Sequence, residues 1–200
     1  KKLSLKKGDR VAAYVPNKIE TIISFLACAK NGIIWSSCSP DFGAQGVVDR
    51  FKQIEPKVLI TSDYYFYNGK KINILDKVDE VLKQIPSIEK VIVYNYYKKE
   101  KENLKNFIDF EETLNVKSDE SFERFEFNHP IYILFSSGTT GKPKCITHGT
   151  GNVLIEHNKE FMLHCDIRDN ERLFYYTTTG WMMWNWLVGG LVTGLSLIHI

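Results

Sequence analysis

The chain has 200 residues and a mass of 23.2 kDa, and 44% of its residues are hydrophobic and 25% charged. That is enough apolar material for one large core or two small ones, and it excludes short disulfide-framed scaffolds, disordered tails and collagen-like repeats. Lys and Arg number 26 against 24 Asp and Glu, a formal charge of +2, too small for the broad basic field that draws nucleic acid, so any anion must be held by a local site.

Residue 1 is Lys rather than Met, and no charged leader with a signal-type apolar stretch precedes the first strand-like run. The start therefore reads as a cut. Residues 11–15 are apolar, of strand length and end at Pro16. Asn17 stands where a helix N-cap is expected, with Glu20 in the capping-box position, and Ile19, Ile22, Ile23 and Leu26 then share one helical face up to Gly32. A second buried strand is expected at 33–36. A loop with Ser39, Pro40, Asp41 and Gly43 leads into a helix at 44–54, closed by Pro56. A third strand at 58–61, a helix with Leu75, Val78, Leu82 and Ile85 on one stripe, and a fourth strand at 91–94 follow. This βαβαβαβ alternation needs crossover connections, so the expected fold class is α/β: alternating β-α units, a largely parallel sheet and helices on both faces.

Residues 98–126 hold six basic and nine acidic side chains among Phe107, Ile108, Phe110 and Leu114. They read as a charged surface excursion with one short amphipathic helix docking its Phe residues. An apolar strand at 131–135, a Gly/Thr/Ser loop and a helix at about 152–164 come next. Residues 173–200 contain no Asp, Glu, Lys or Arg, long enough to raise the question of a membrane span. Thr177, Thr178, Thr179, Asn185, Thr193 and Ser196 interrupt the run, and Gly180, Gly189, Gly190 and Gly194 divide it, so a buried core is the expectation. The chain would then stop inside its own core, as a piece of a longer protein does. Cys28, Cys38, Cys145 and Cys165 are far apart and form no CxxC pair, which points to reduced thiols and a cytoplasmic setting.

The loop Ser136-Ser137-Gly138-Thr139-Thr140-Gly141-Lys142-Pro143-Lys144 combines three kinds of phosphate ligand. Gly138 and Gly141 allow close backbone approach, four hydroxyls donate, and Lys142 and Lys144 add charge. It is not a Walker loop, since Pro143 stands where that motif places its second Gly, and no GxGxxG is present. A flexible surface turn is the alternative on composition alone.

SSGTTGKPK after a strand and before a His-Gly pair resembles the phosphate-loop signature of the adenylate-forming superfamily, which comprises acyl-CoA synthetases, peptide-synthetase adenylation domains and luciferases. Further segments resemble its acetoacetate-activating branch: GDRVAAYVPN at 8–17, CSPDFG at 38–43, FYNGK at 66–70, HPIYILFSSGTTGKPK from His129, and TTTGWMMWNWLVGG at 177–190. The resemblance covers nearly the whole chain and departs at Cys145, where the superfamily often has Gly, and at 195–200. It implies a partial AMP-binding domain over 1–194 with 195–200 a foreign tail. It also implies a two-step ligase, in which acetoacetate attacks the α-phosphorus of MgATP to give acetoacetyl-AMP and pyrophosphate, and the thiol of coenzyme A then displaces AMP. On this resemblance Ser136, Ser137, Gly138, Thr139, Thr140, Gly141, Lys142 and Lys144 would hold the ATP phosphates, with Thr139 and Thr140 as hydroxyl ligands and Lys144 as charge partner. Lys142 reads equally well as a solvated loop lysine.

Trp181, Met183, Trp184 and Asn185 are the acyl-pocket candidates that the resemblance supplies. Bulky rings would admit a short acid and exclude a long one, and Asn185 or a threonine would pair the keto oxygen. Packing the interior is the competing role for these Trp and Met side chains. For coenzyme A, residues 67–70 correspond to a place where related synthetases carry arginines; here Lys70 and Lys71 keep the charge, a solvated turn being the alternative, and Gly43 would lie against the pantetheine arm. The adenylation lysine, the ribose-binding acid and the adenine-side loop would fall beyond residue 200, leaving the 200-residue chain inert by itself. Cys145, His148, His157, His164 and Cys165 do not suit zinc, because His157 and His164 are two helical turns, ~10 Å, apart. Ser137 or Cys145 as a hydrolase nucleophile lacks a GxSxG elbow. An acetate or propionate synthetase and a noncatalytic nucleotide-binding module are the remaining alternatives.

Overall fold

The computed structural model describes residues 3–96, 107–115, 121–136 and 141–198. Its strands are β1 (Arg10–Tyr14), β2 (Ile34–Cys38), β3 (Val58–Ser62), β4 (Tyr64–Tyr67), β5 (Lys70–Asn73), β6 (Lys90–Tyr94), β7 (Phe107–Asp109), β8 (Pro130–Ser136), β9 (Lys144–Gly149), β10 (Arg172–Leu173) and β11 (Ser196–Leu197). Its α-helices are α1 (Ile19–Lys30), α2 (Ala44–Ile54), α3 (Leu75–Gln84), α4 (Phe110–Leu114), α5 (Thr150–Lys159) and α6 (Met182–Gly189), with a π-helical turn at Glu160–His164 and a 3₁₀ turn at Gly190–Thr193.

Seven strands form one sheet in the order β7-β6-β3-β1-β2-β8-β9. All its neighbours run parallel except β8 and β9, so the expected α/β class with a largely parallel sheet is the one observed. Alternation along β1 sends Val11 and Ala13 to the face covered by α1 and α6, and Ala12 and Tyr14 to the face covered by α2 and α3. Each central strand is buried on both sides, which is why these strands read as continuous apolar runs.

Five local outcomes differ from the sequence expectation. Asn17 does not cap α1: the N-cap is Lys18, without a side-chain cap bond, and Asn17 Oδ1 instead accepts the Trp184 indole N–H at 2.9 Å. A buried indole needs an acceptor, whereas a helix end at the surface can use water. The buried face of α1 is Thr21, Ile22, Ser24, Phe25 and Cys28, while Ile19, Ile23 and Leu26 are exposed. Phe25 sets this rotation by meeting Trp35 and Trp184 edge-on at 6.0 Å, and Thr21 and Ser24 tolerate burial by donating to the Pro16 and Glu20 carbonyls.

Residues 64–73 form an antiparallel hairpin, β4 with β5. Asn68 and Gly69 both take positive φ, 49° and 72°, as a two-residue hairpin turn requires. Part of the charged excursion joins the sheet as β7. The short helix expected beside it is α4, which buries Phe110, with Asp109 Oδ1 accepting from the Glu111 N–H at 3.0 Å; Phe122 and Phe127 stay exposed. Finally, the segment after the phosphate loop is β9, so that loop connects an antiparallel pair.

Candidate nucleotide and acyl site

β2 and β8 are parallel neighbours, so both deliver their following loops to the same carboxyl edge of the sheet, where open α/β folds bind ligands. After β8 comes the phosphate loop. Ser136 is the last residue of β8 and Lys144 the first of β9; Gly141 and Lys142 are exposed; Ser137, Gly138, Thr139 and Thr140 lie outside the described residues. The returning limb is tied to α2, where the Gln53 side-chain amide donates to the Pro143 carbonyl at 2.8 Å and its oxygen accepts from the Cys145 thiol at 3.6 Å.

After β2 comes the loop carrying Ser39, Pro40, Asp41 and Phe42. Ser39 Oγ donates to Asp41 Oδ2 at 2.8 Å, and the buried Tyr14 hydroxyl reaches the Phe42 carbonyl at 2.5 Å. Burial and the nearby acidic groups raise the Tyr14 pKa, so the phenol stays protonated and keeps donating. The residues leading into α6 face this loop. Thr179 is buried, its Oγ1 donates to the Val15 carbonyl at 2.6 Å, and its own carbonyl accepts from Ser37 Oγ at 2.6 Å. Gly180 allows the close approach, since a Cβ there would lie 3.0 Å from the Phe42 ring and 3.2 Å from the Ser39 nitrogen.

Between the two segments is a cavity of about 540 Å³ lined by Asp41 and Phe42 on one side and by Tyr175, Thr177, Trp181 and Met183 on the other, within the range of small-molecule sites. Trp181 is exposed, so the ring stands at the cavity wall rather than in the core.

The other two acyl-pocket candidates lie elsewhere. Trp184 is fully buried and stacks on Trp35 with centroids 6.4 Å apart. Asn185 is buried on α6, where its amide donates to the Trp181 carbonyl at 3.4 Å and its Oδ1 has no partner among the described residues; it borders a separate cavity of about 370 Å³ between α1, α5 and α6. The helix is the reason: Trp184, Asn185, Leu187 and Val188 form its inward face, while Trp181 and Met183 lie on the side facing the loop. Ser39, Asp41, Phe42, Tyr175 and Tyr176 are the lining residues to which sequence reading gave no site role. The first three lie inside CSPDFG, and the two tyrosines immediately precede the threonine run at 177–179, so the signal was proximity to the quoted motifs.

The coenzyme A candidates are on separate elements. Gly43 is the N-cap of α2, and Lys70 and Lys71 sit on β5 of the hairpin, where the Lys71 ammonium lies 3.8 Å from the Tyr64 ring centroid. No group of three or more His, Cys, Asp or Glu among the described residues is arranged to hold a metal ion. Cys145 and His148 are three residues apart on β9 and so point to opposite faces; the thiol meets Gln53, and His148 packs against Tyr132 at 4.9 Å. All four cysteines are free. Among the described residues no helix is long and apolar enough to cross a membrane.

The family model for AMP-binding enzymes matches residues 1–199, and the chain belongs to that family. Among curated proteins it is 51% identical to the acetoacetyl-coenzyme A synthetase of Rhizobium meliloti over 95% of this chain and 30% of that protein. It is 45% identical to the acetoacetyl-CoA synthetase of Gallus gallus over 99% of this chain and 31% of that one. Among solved structures, the acetoacetyl-CoA synthetase from Streptomyces lividans superposes with a TM-score of 0.93 at 43% identity, covering 98% of this chain and 30% of that one. The chain thus spans about 30% of the length of the relatives it matches.

Proposed function

We propose that the polypeptide to which this chain corresponds is an acetoacetate:CoA ligase, which activates acetoacetate with MgATP as acetoacetyl-AMP and transfers the acyl group to coenzyme A. The observation that carries this reading is the near-complete match of the chain to acetoacetyl-CoA synthetases. Consistent with it, the cavity beside β2 opens at the same sheet edge as the phosphate loop.

The loop's chemistry suits a polyphosphate. Hydroxyls of Ser136, Ser137, Thr139 and Thr140, close backbone approach at Gly138 and Gly141, and the ammonium groups of Lys142 and Lys144 would hold the β- and γ-phosphates. Magnesium would enter with the nucleotide substrate and would offset charge on the leaving pyrophosphate. The acid would occupy the cavity between Asp41 and Phe42 and the Trp181–Met183 side, with a carboxylate oxygen presented to the α-phosphorus. Catalysis at this stage is positioning and charge stabilisation. Coenzyme A would approach past Gly43, with Lys70 and Lys71 attracting its phosphates.

Residues 1–194 would then be part of the AMP-binding domain and 195–200 a tail of other origin, with a reducing, cytoplasmic setting suited to four free thiols. Pyrophosphate release by the full-length protein, with ATP, coenzyme A and a panel of acetoacetate, acetate, propionate and butyrate, tests the reading. Preference for acetoacetate that collapses in Thr140→Ala supports both substrate and loop. Preference for acetate or propionate moves the substrate within the family, and no release with any acid refutes the ligase.

A further inference from the structure

The cavity loop is held by a lysine from a helix that does not line the cavity. Lys77 lies in the first turn of α3, and its ammonium donates to the Pro40 carbonyl at 3.1 Å. The Tyr14 hydroxyl reaches that same carbonyl at 3.2 Å and the Phe42 carbonyl at 2.5 Å. Two donors from two other elements therefore fix the carbonyls on either side of Asp41, one of the residues that line the cavity. The Arg50 guanidinium adds a third restraint, 4.4 Å from the Phe42 ring centroid.

Lys77 stands apart among the described lysines. It is half-buried, it makes no salt bridge among the described residues, and the hydrogen-bond acceptor of its ammonium is a main-chain oxygen. Such a bond is charge-assisted and directional, whereas a solvated surface lysine holds nothing in place. Pro40 has no N–H, so its carbonyl is its one polar main-chain group and the one point by which hydrogen bonds can hold that residue.

We propose that Lys77 is a positioning residue for the acid pocket: through the Pro40 carbonyl it sets the wall formed by Ser39, Asp41 and Phe42. The inference rests on the ligase reading for its kinetic test and on geometry alone for its structural one.

The experiment uses the full-length protein as wild type, Lys77→Met, which keeps the stem and removes donor and charge, and Lys77→Arg, which restores a donor. With MgATP saturating, Lys77→Met raises the KM for acetoacetate about five- to tenfold, as loss of one partly exposed charge-assisted bond implies, while the KM for ATP, measured with acetoacetate saturating, stays within about twofold; Lys77→Arg recovers most of the loss. An unchanged acid KM, or an equal rise in both KM values, overturns the proposal. Hydrogen exchange of the peptide covering residues 38–43 is measured in the same proteins. Faster exchange in Lys77→Met and recovery in Lys77→Arg are expected, and unchanged exchange overturns the proposal whatever the enzyme does. A wild-type protein without acid-dependent turnover refutes the ligase reading and leaves the exchange result to decide the role of Lys77.

Discussion

Thr179→Val removes one hydroxyl and preserves side-chain shape, so it isolates a single buried bond. Thr179 is 1% exposed, and its Oγ1 donates to the Val15 carbonyl at 2.6 Å, joining the end of β1 to the segment that lines the cavity. Valine forfeits that bond and leaves the carbonyl facing a methyl group. The lost bond and the unsatisfied acceptor together cost about 2 kcal/mol. In the full-length protein that loss lowers the melting temperature by a few degrees at most, since the shift per kcal/mol shrinks as unfolding entropy grows with chain length. Circular dichroism melts of the wild type, Thr179→Val and Thr179→Ser measure it. Serine keeps the hydroxyl and loses one methyl group, about 1 kcal/mol, so it should fall between the other two. A Thr179→Val melt equal to wild type, or a Thr179→Ser melt below that of Thr179→Val, would refute the claim that the Oγ1 bond supports this wall.

Thiol labelling should divide the cysteines two and two. Cys28 and Cys38 are buried, with thiols pushed up to about 12 by burial, whereas Cys145 and Cys165 are exposed; of these four, native protein at pH 8 should therefore label Cys145 and Cys165 and unfolded protein all four, and rapid native labelling of Cys38 would contradict the packing beneath α2. Gly189→Ala should destabilise by about 1–3 kcal/mol, because its Cβ would lie 2.0 Å from His157 Nδ1. Thermal melts of Gly189→Ala alone and combined with His157→Ala check this, and the prediction fails if the second change does not relieve the first. Burial holds the pKa of His157, and that of the half-buried His148, below the ordinary 6.5, and Glu156 and Glu160 only partly offset this at His157. The unfolded chain therefore takes up these protons first, so the contribution of both groups is whole above pH 6.5 and declines as pH falls toward the folded-state values. Melting temperatures between pH 8 and 5 should drop on acidification, less steeply in His157→Gln, and an identical slope in that variant would contradict the assignment.

Where sequence punctuation is local, the fold is legible. Gly43 and Pro56 bracket α2, which runs Ala44–Ile54 as its pattern predicts, and the apolar runs of β1, β3 and β6 announce a sheet buried on both faces. Long-range competition hides the rest. Asn17 looks like a cap until Trp184, 167 residues away, takes its oxygen. Ile19, Ile23 and Leu26 look like a core stripe until Phe25 is seen wedged against two indoles. β9 carries polar and exposed residues at the sheet edge, so it lacks the apolar run that marks a strand. The Asn68-Gly69 signal was present in the sequence and had a hairpin meaning. At the site, Trp181 and Met183 reach the cavity and Trp184 and Asn185 do not, because a helix phase separates them and composition carries no phase.

The ligase reading is tested most directly by exchange of labelled pyrophosphate into ATP, catalysed by the full-length protein without coenzyme A. This exchange requires reversible formation of an acyl adenylate and nothing later in the reaction. The account predicts exchange that depends on acetoacetate, exceeds that with acetate or butyrate, is lost in Thr140→Ala and is absent from the 200-residue chain alone. Exchange independent of any acid, or none with any acid, would contradict it.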